Sequence, residues 1–235
     1  MPRTTLKSTA TRLTRNKSRQ KPKRRAKRKG PVTRRAVKEI VASTLSTREE
    51  IKAVDKNDSV VATTTITFVA LNNIAVGLNE YEREGDSIFL KTISGRVLLH
   101  KQLANEGPNM VRWGIVTFPD GHSGPVGTDI FEDPLVTDNA AFLSRFRARN
   151  NALTAAGNQT KYRILMDETQ ILGSADREWD LNHVNIPFNK KVLWDKAGSD
   201  ATGWNSNSVY LYYISNQTSN PPYITYRLRL HFSDH

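Results

Sequence analysis

Between residues 1 and 30 the chain holds almost no large apolar side chain, only Met1, Leu6 and Leu13. Such a stretch buries too little to offset the entropy of ordering it, so it is expected to be disordered when free. Gly30-Pro31 ends it. From there Val32, Ala36, Val37, Ile40, Val41 and Leu45 fall at helical spacing, with Arg34, Arg35 and Lys38 on other faces. Pro31 suits the first turn of a helix. A short amphipathic helix is expected, either packed on the body or also touching nucleic acid. Beyond about residue 55 the helical period gives way to extended runs rich in Val, Ile, Thr, Phe and Tyr. These are Val60–Leu71, Asp86–His100, Met110–Phe118, Lys161–Leu172, Leu181–Lys190, Val209–Ser215 and Tyr223–Phe232.

Details within these runs predict local structure. Ile88, Leu90 and then Ile93 break strict alternation, which predicts a bend or bulge near Thr92, with Gly95 inside the same strand. Pro119-Asp120-Gly121 reads as a turn. The Gly- and Pro-bearing stretch 119–138 reads as a long surface loop, Asn139–Phe146 as a short helix, and Gly173-Ser174 as a turn. The last run alternates cleanly: Ile224, Tyr226, Leu228, Leu230 and Phe232 on one side; Thr225, Arg227, Arg229 and His231 on the other. Trp113 alternates within its strand and is expected in the core. Seven or eight strands separated by polar loops, without a fixed repeat, predict an all-β antiparallel sandwich or barrel.

Charge divides the chain more sharply than hydropathy does. Residues 1–30 hold 13 Lys and Arg and no Asp or Glu; the other 22 basic residues (35 − 13) face all 23 acidic ones. A nearly neutral body thus carries a cationic tail, which points to a polyanion bound mainly through one end. Candidate nucleic-acid-binding residues are Arg3, Lys7, Arg12, Arg15, Lys17, Arg19, Lys21, Lys23, Arg24, Arg25, Lys27, Arg28 and Lys29 in the tail, with Arg34, Arg35 and Lys38 on the helix. Each cation that meets a phosphate releases condensed counterions, giving salt-sensitive affinity with little sequence preference. The tail has no aromatic residue, so it cannot stack bases. The dense run Lys21–Lys29 also reads as a nuclear import signal, which would bring host import factors in as partners.

Other chemistry is weakly represented. The absence of Cys excludes disulfides and thiol nucleophiles. No run approaches 18 apolar residues, so no membrane insertion is expected. The tail lacks both the apolar region of a secretory signal and the apolar face of an import helix. Asn158-Gln159-Thr160 and Asn216-Gln217-Thr218 match a glycosylation pattern but read as polar loops. Gly121-His122-Ser123-Gly124 is not a nucleophile elbow, because its second glycine comes one residue early. The five His show no metal-ligand spacing. No cofactor is expected; calcium is the one candidate metal, through Asp129, Glu132 and Asp133 or through Asp55 and Asp58, against the plainer reading of solvated loop acids. Trp179 and Trp204 lie in turn-rich sequence and are candidate interface residues, or else local anchors beneath loops.

Several segments resemble a known family. The basic tail with Thr33-Arg34-Arg35-Ala36-Val37-Lys38-Glu39-Ile40, and Glu82-Arg83-Glu84-Gly85-Asp86-Ser87-Ile88 with its Arg-x-Gly-Asp approach to an early strand, are similar to the coat protein of satellite tobacco necrosis virus. Arg-x-Gly-Asp, the strand Lys161–Thr169 and the ending Tyr226–Asp234 resemble capsid proteins of circular, replication-initiator-encoding single-stranded DNA viruses. The resemblance implies a single eight-stranded jelly roll, an antiparallel β-sandwich, in a virion shell of sixty copies (T=1) that packages a single-stranded genome. It also implies no enzymatic activity. Chain length and the ending lean towards DNA over RNA, with passage through the host nucleus during assembly. On this reading residues 1–30 are the nucleic-acid-binding arm, 31–50 the helix and linker, and 51–235 the shell domain. Sixty arms would bring roughly 800 positive charges, enough for a genome on the order of a thousand nucleotides at one charge per phosphate. The alternative is a cellular basic-tailed nucleic-acid-binding protein with a β-sandwich body, for which a more basic body is expected.

Overall fold

The computed structural model describes residues 33–35, 37–38, 50–102, 107–132, 145–146, 161–173, 178–194 and 204–234. Among these residues nine strands follow in order: β1 (Lys52–Val61), β2 (Thr67–Ala70), β3 (Ser87–His100), β4 (Asn109–Phe118), β5 (Arg163–Leu172), β6 (Trp179–Trp194), β7 (Trp204–Ser206), β8 (Ser208–Ser215) and β9 (Tyr223–Asp234). Sheet A runs β1-β9-β3-β6-β7 and sheet B runs β2-β8-β4-β5. Every strand pairing is antiparallel. The chain changes sheet between β1 and β2, β2 and β3, β3 and β4, β5 and β6, β7 and β8, and β8 and β9. Two interleaved four-stranded sheets with these crossings are a jelly roll. The three-residue β7 is added to that eight-strand plan at the edge of sheet A.

The sequence expectations hold for most strands and fail at particular places. Val60–Leu71 is not one strand: β1 ends at Val61, residues 62–66 cross between sheets, and β2 starts at Thr67. Val and Thr favour strand on both sides of the crossing, and no Gly or Pro marks it. The expected irregularity near Thr92 is present, as a register shift between Leu90 and Thr92. At Gly95, φ is 149° and an added Cβ would stand 2.1 Å from the Arg227 carbonyl oxygen, so this central-strand position requires glycine. Phe146 forms an antiparallel bridge with Phe131 rather than ending a helix; residues 139–144 lie outside the described residues.

The stretch 119–138 is not simply a surface loop. Pro125, Asp129, Ile130 and Phe131 are buried, and Gly127–Ile130 forms one helical turn; residues 133–138 lie outside the described residues. This segment covers the outer face of sheet B. Phe131 stacks on Phe146 at 5.1 Å and meets Tyr212 edge-on at 5.6 Å. The Arg112 guanidinium lies 4.7 Å from the Phe131 ring and 4.8 Å from that of Phe146. It donates to both Asp167 oxygens at 2.9 and 3.0 Å, and the Tyr212 hydroxyl donates to the same carboxylate at 2.6 Å. The cover is thereby tied to the sheet through charge-assisted bonds and ring contacts.

Between the sheets the core is filled by side chains. Ile93, Val97, Leu99, Ile224 and Leu228 from sheet A, with Trp113, Ile115, Val209 and Leu211 from sheet B, are each at most 1% exposed. The buried tyrosines give the fold an alkaline limit. Burial pushes the Tyr210 and Tyr226 hydroxyls up to about 12 and raises Tyr212 and Tyr213 as well. An unfolded chain ionises its tyrosines near pH ~10 while the folded chain holds them neutral. Their contribution is therefore fully present below pH ~10 and declines as pH rises towards ~12. The urea midpoint should stay level from pH ~8 to ~9.5 and fall steadily above pH ~10; a level midpoint through pH ~11.5 would contradict this.

Candidate assembly surfaces and nucleic-acid interface

The arm cations Arg3 to Lys29 lie outside the described residues. Arg34, Arg35 and Lys38 are helical and exposed, and the Val37 amide donates to the Thr33 carbonyl at 3.0 Å, one turn of the expected helix. Trp179, at the start of β6, is 61% exposed. Trp204 pairs through its backbone with Trp194, and its side chain lies outside the described residues.

The calcium candidates do not converge. Asp129 is buried and accepts from the Val126 amide at 2.7 Å, with His122 Nε2 at 3.2 Å; Glu132 is exposed and Asp133 lies outside the described residues. Asp55 is bound by Arg229, and Asp58 accepts from the Ser59 amide. Among the described residues no group of three or more acids and histidines is placed to hold a metal ion.

An apolar projection emerges from the connection between β2 and β3. Val76 and Arg83 form a bridge, and the Gly77 amide donates to the Arg83 carbonyl at 3.0 Å. Across the tip, Glu82 Oε2 accepts from the Asn79 amide at 3.0 Å and from its side-chain amide at 2.8 Å. Leu78 at the tip is 89% exposed, Tyr81 57% and Val76 49%.

The base of the projection is the Arg-x-Gly-Asp segment. Arg83 is fully buried, its guanidinium 4.4 Å from the centre of the Trp194 ring. Nε donates to the Ile74 carbonyl at 3.1 Å, and Nη1 donates to the Gly85 carbonyl. Burial lowers the Arg83 pKa, although Asp86 and Asp234 oppose that shift. Beside it, Lys52 Nζ lies 2.7 Å from Glu84 and 2.8 Å from Asp234, hydrogen bonds that raise its pKa. These contacts join the start of β1, the approach to β3 and the end of β9.

The outer face of sheet A can be read from its register. Asp55, Arg229, Ser94 and Asn185 form one row; the next holds Asn57, Arg227, Arg96 and His183. Ser59, Thr225, Leu98 and Leu181 follow, and then Val61, Tyr223, His100 and Trp179 at the end of the sheet. Asp55 is the only carboxylate in these rows. It holds Arg229 in a two-pronged pair at 2.6 and 2.7 Å, and that arginine keeps its carboxyl pKa low. The basic side of β9 is visible in the sequence, but its juxtaposition with Arg96 depends on pairing two strands distant in the chain.

No protein-family model and no curated protein matches the chain. Among solved structures it is similar to Desmodium yellow mottle tymovirus, at 12% identity and a TM-score of 0.35, over 79% of this chain and 88% of that one. Turnip yellow mosaic virus is similar at 13% identity and a TM-score of 0.33, over 79% and 94%. The BFDV capsid protein in its 60-mer is similar at 8% identity and a TM-score of 0.28, over 78% and 93%. At such values the jelly-roll assignment stands on strand order, not on these likenesses.

Proposed function

We propose that the chain is a viral coat subunit that assembles into a closed shell of sixty copies and packages a single-stranded genome, slightly favoured to be DNA rather than RNA, through residues 1–30. The carrying observation is the division of charge: 13 cations without an acid in the first 30 residues, followed by a body with 22 basic and 23 acidic residues. A jelly roll supplies an inert wall, and an acid-free arm supplies a sequence-tolerant counterion for the genome. In this reading the protein resides in the virion, Lys21–Lys29 also serves passage through the host nucleus, and neither catalysis nor a cofactor is required.

Assembly is assigned to the apolar projection. Closed symmetry repeats each contact throughout the shell, so a modest loss per contact is multiplied. Sedimentation of the full-length protein should show a particle of roughly 1.6 MDa, sixty copies of 26.5 kDa. Leu78→Asp with Tyr81→Asp should leave a folded subunit of unchanged thermal stability that sediments as a small oligomer. Full-size particles from this variant would remove the projection from the account. A wild-type protein that stays monomeric at every salt concentration would favour a cellular nucleic-acid-binding protein.

A further inference from the structure

We propose that the outer face of sheet A is a second, arm-independent contact for single-stranded nucleic acid, with Arg96 and Arg227 taking phosphates and Trp179 and Tyr223 stacking bases. The inference rests on the reading that the chain's partner is a single-stranded genome.

The first observation is electrostatic. Arg96 and Arg227 are direct cross-strand partners, both exposed, and His183 lies opposite Arg96 on the other side. Like charges directly opposite each other destabilise a sheet. Arg229, in the adjoining row, is neutralised by Asp55, but no carboxylate among the described residues pairs with Arg96 or Arg227. A phosphate between the two guanidiniums would turn the repulsion into attraction, and Arg presents the planar donor fork that suits it.

The second observation is aromatic and independent of the first. Four residues along β3 from Arg96, or ~13 Å at ~3.3 Å per residue, lies the row of Tyr223, His100 and Trp179. Trp179 is 61% and Tyr223 38% exposed. A shallow depression of about 200 Å³, lined by Arg96, Leu98, Leu181, Thr225 and Arg227, lies between the arginine pair and this row. Cations that track a backbone, interleaved with rings that stack bases, are how proteins hold single strands without reading sequence. The arm has no ring of its own, so this face would supply what the arm lacks.

A second copy of the chain suits the face less well. A twofold contact would set these cations against themselves, because such an interface repeats one patch on both sides.

The test uses the full-length protein and a twelve-residue oligothymidylate carrying 4-thiothymidine, with photo-crosslinks mapped by mass spectrometry. Crosslinks are expected on Trp179 and Tyr223 as well as on the arm. In Arg96→Ala with Arg227→Ala, the crosslinks on β6 and β9 should fall at least fivefold while those on the arm persist. The slope of log K against log salt should become shallower by about 1.4, two contacts at ~0.7 each. The same variant should unfold at an unchanged or higher temperature, since it loses a repulsion. Trp179→Ala should lose the aromatic crosslink and keep the wild-type salt slope.

Arm crosslinks without any on β3, β6 or β9 would overturn this inference and leave the packaging arm standing. So would a double variant that stops forming particles with its crosslink pattern unchanged, which would make the face a subunit contact. A wild-type protein that neither crosslinks nor forms particles would overturn both readings.

Discussion

Deleting residues 2–29 is expected to abolish genome packaging while leaving the unfolding temperature of the jelly roll unchanged. The deleted segment contains all 13 cations of the arm, and its loss takes the formal net charge from +12 to −1. For a single strand each phosphate contact contributes about 0.7 to the salt slope, so the arm alone can supply a slope of about −9. Without it, affinity near physiological salt should fall by several orders of magnitude, leaving at most the helix cations Arg34, Arg35 and Lys38 and the weak contact of sheet A. Stability should not change, because the deleted residues carry only Leu6 and Leu13 as large apolar groups. Truncated particles that still protect nucleic acid from nuclease would move the packaging charge elsewhere. Unfolding of the truncated protein would show that arm and body are not separate.

The second large effect is expected at Arg83. Arg83→Ala removes a fully buried side chain together with the donors to the Ile74 and Gly85 carbonyls. It also takes away the cation lying over Trp194. Unsatisfied acceptors and the cavity together should cost about 3–5 kcal/mol. For a domain of this size that is a Tm lower by roughly 6–20 °C. Arg83 also carries one strand of the bridge at the foot of the apolar projection, so the variant should fail to assemble as well as unfold early. The comparison with Leu78→Asp and Tyr81→Asp separates these effects: the tip variant loses assembly alone. A stable, assembly-competent Arg83→Ala would show that this arginine anchors nothing of consequence.

The strands were largely legible because alternation survives where one face is buried. In β9 every residue expected inward from Ile224 to Phe232 is buried, and the broken alternation at Ile88, Leu90 and Ile93 foretold the bulge. The strand β1 was obscured: Lys52–Val61 is an edge strand with Lys, Asp and Asn through its middle, so little apolar pattern marks it. Gly and Pro made 119–132 look like an exposed loop, although Ile130 and Phe131 hinted that it would be tucked in. At Arg83 residue type misled in the other direction, since arginine ordinarily signals surface and here lies fully buried. The Arg96–Arg227 pair was invisible because it joins residues 131 positions apart, by the difference of their numbers, through strand register alone.

Whether the protein forms a self-assembling shell loaded through a basic arm is decided by negative-stain electron microscopy of the purified full-length protein, with its 260/280 nm absorbance ratio and nuclease protection measured on the same sample. Uniform closed spheres roughly 20 nm across are expected, as about sixty symmetric copies would form, with a nucleic-acid-like ratio and a protected single strand. A clean monomer without particles at low or high salt would contradict this.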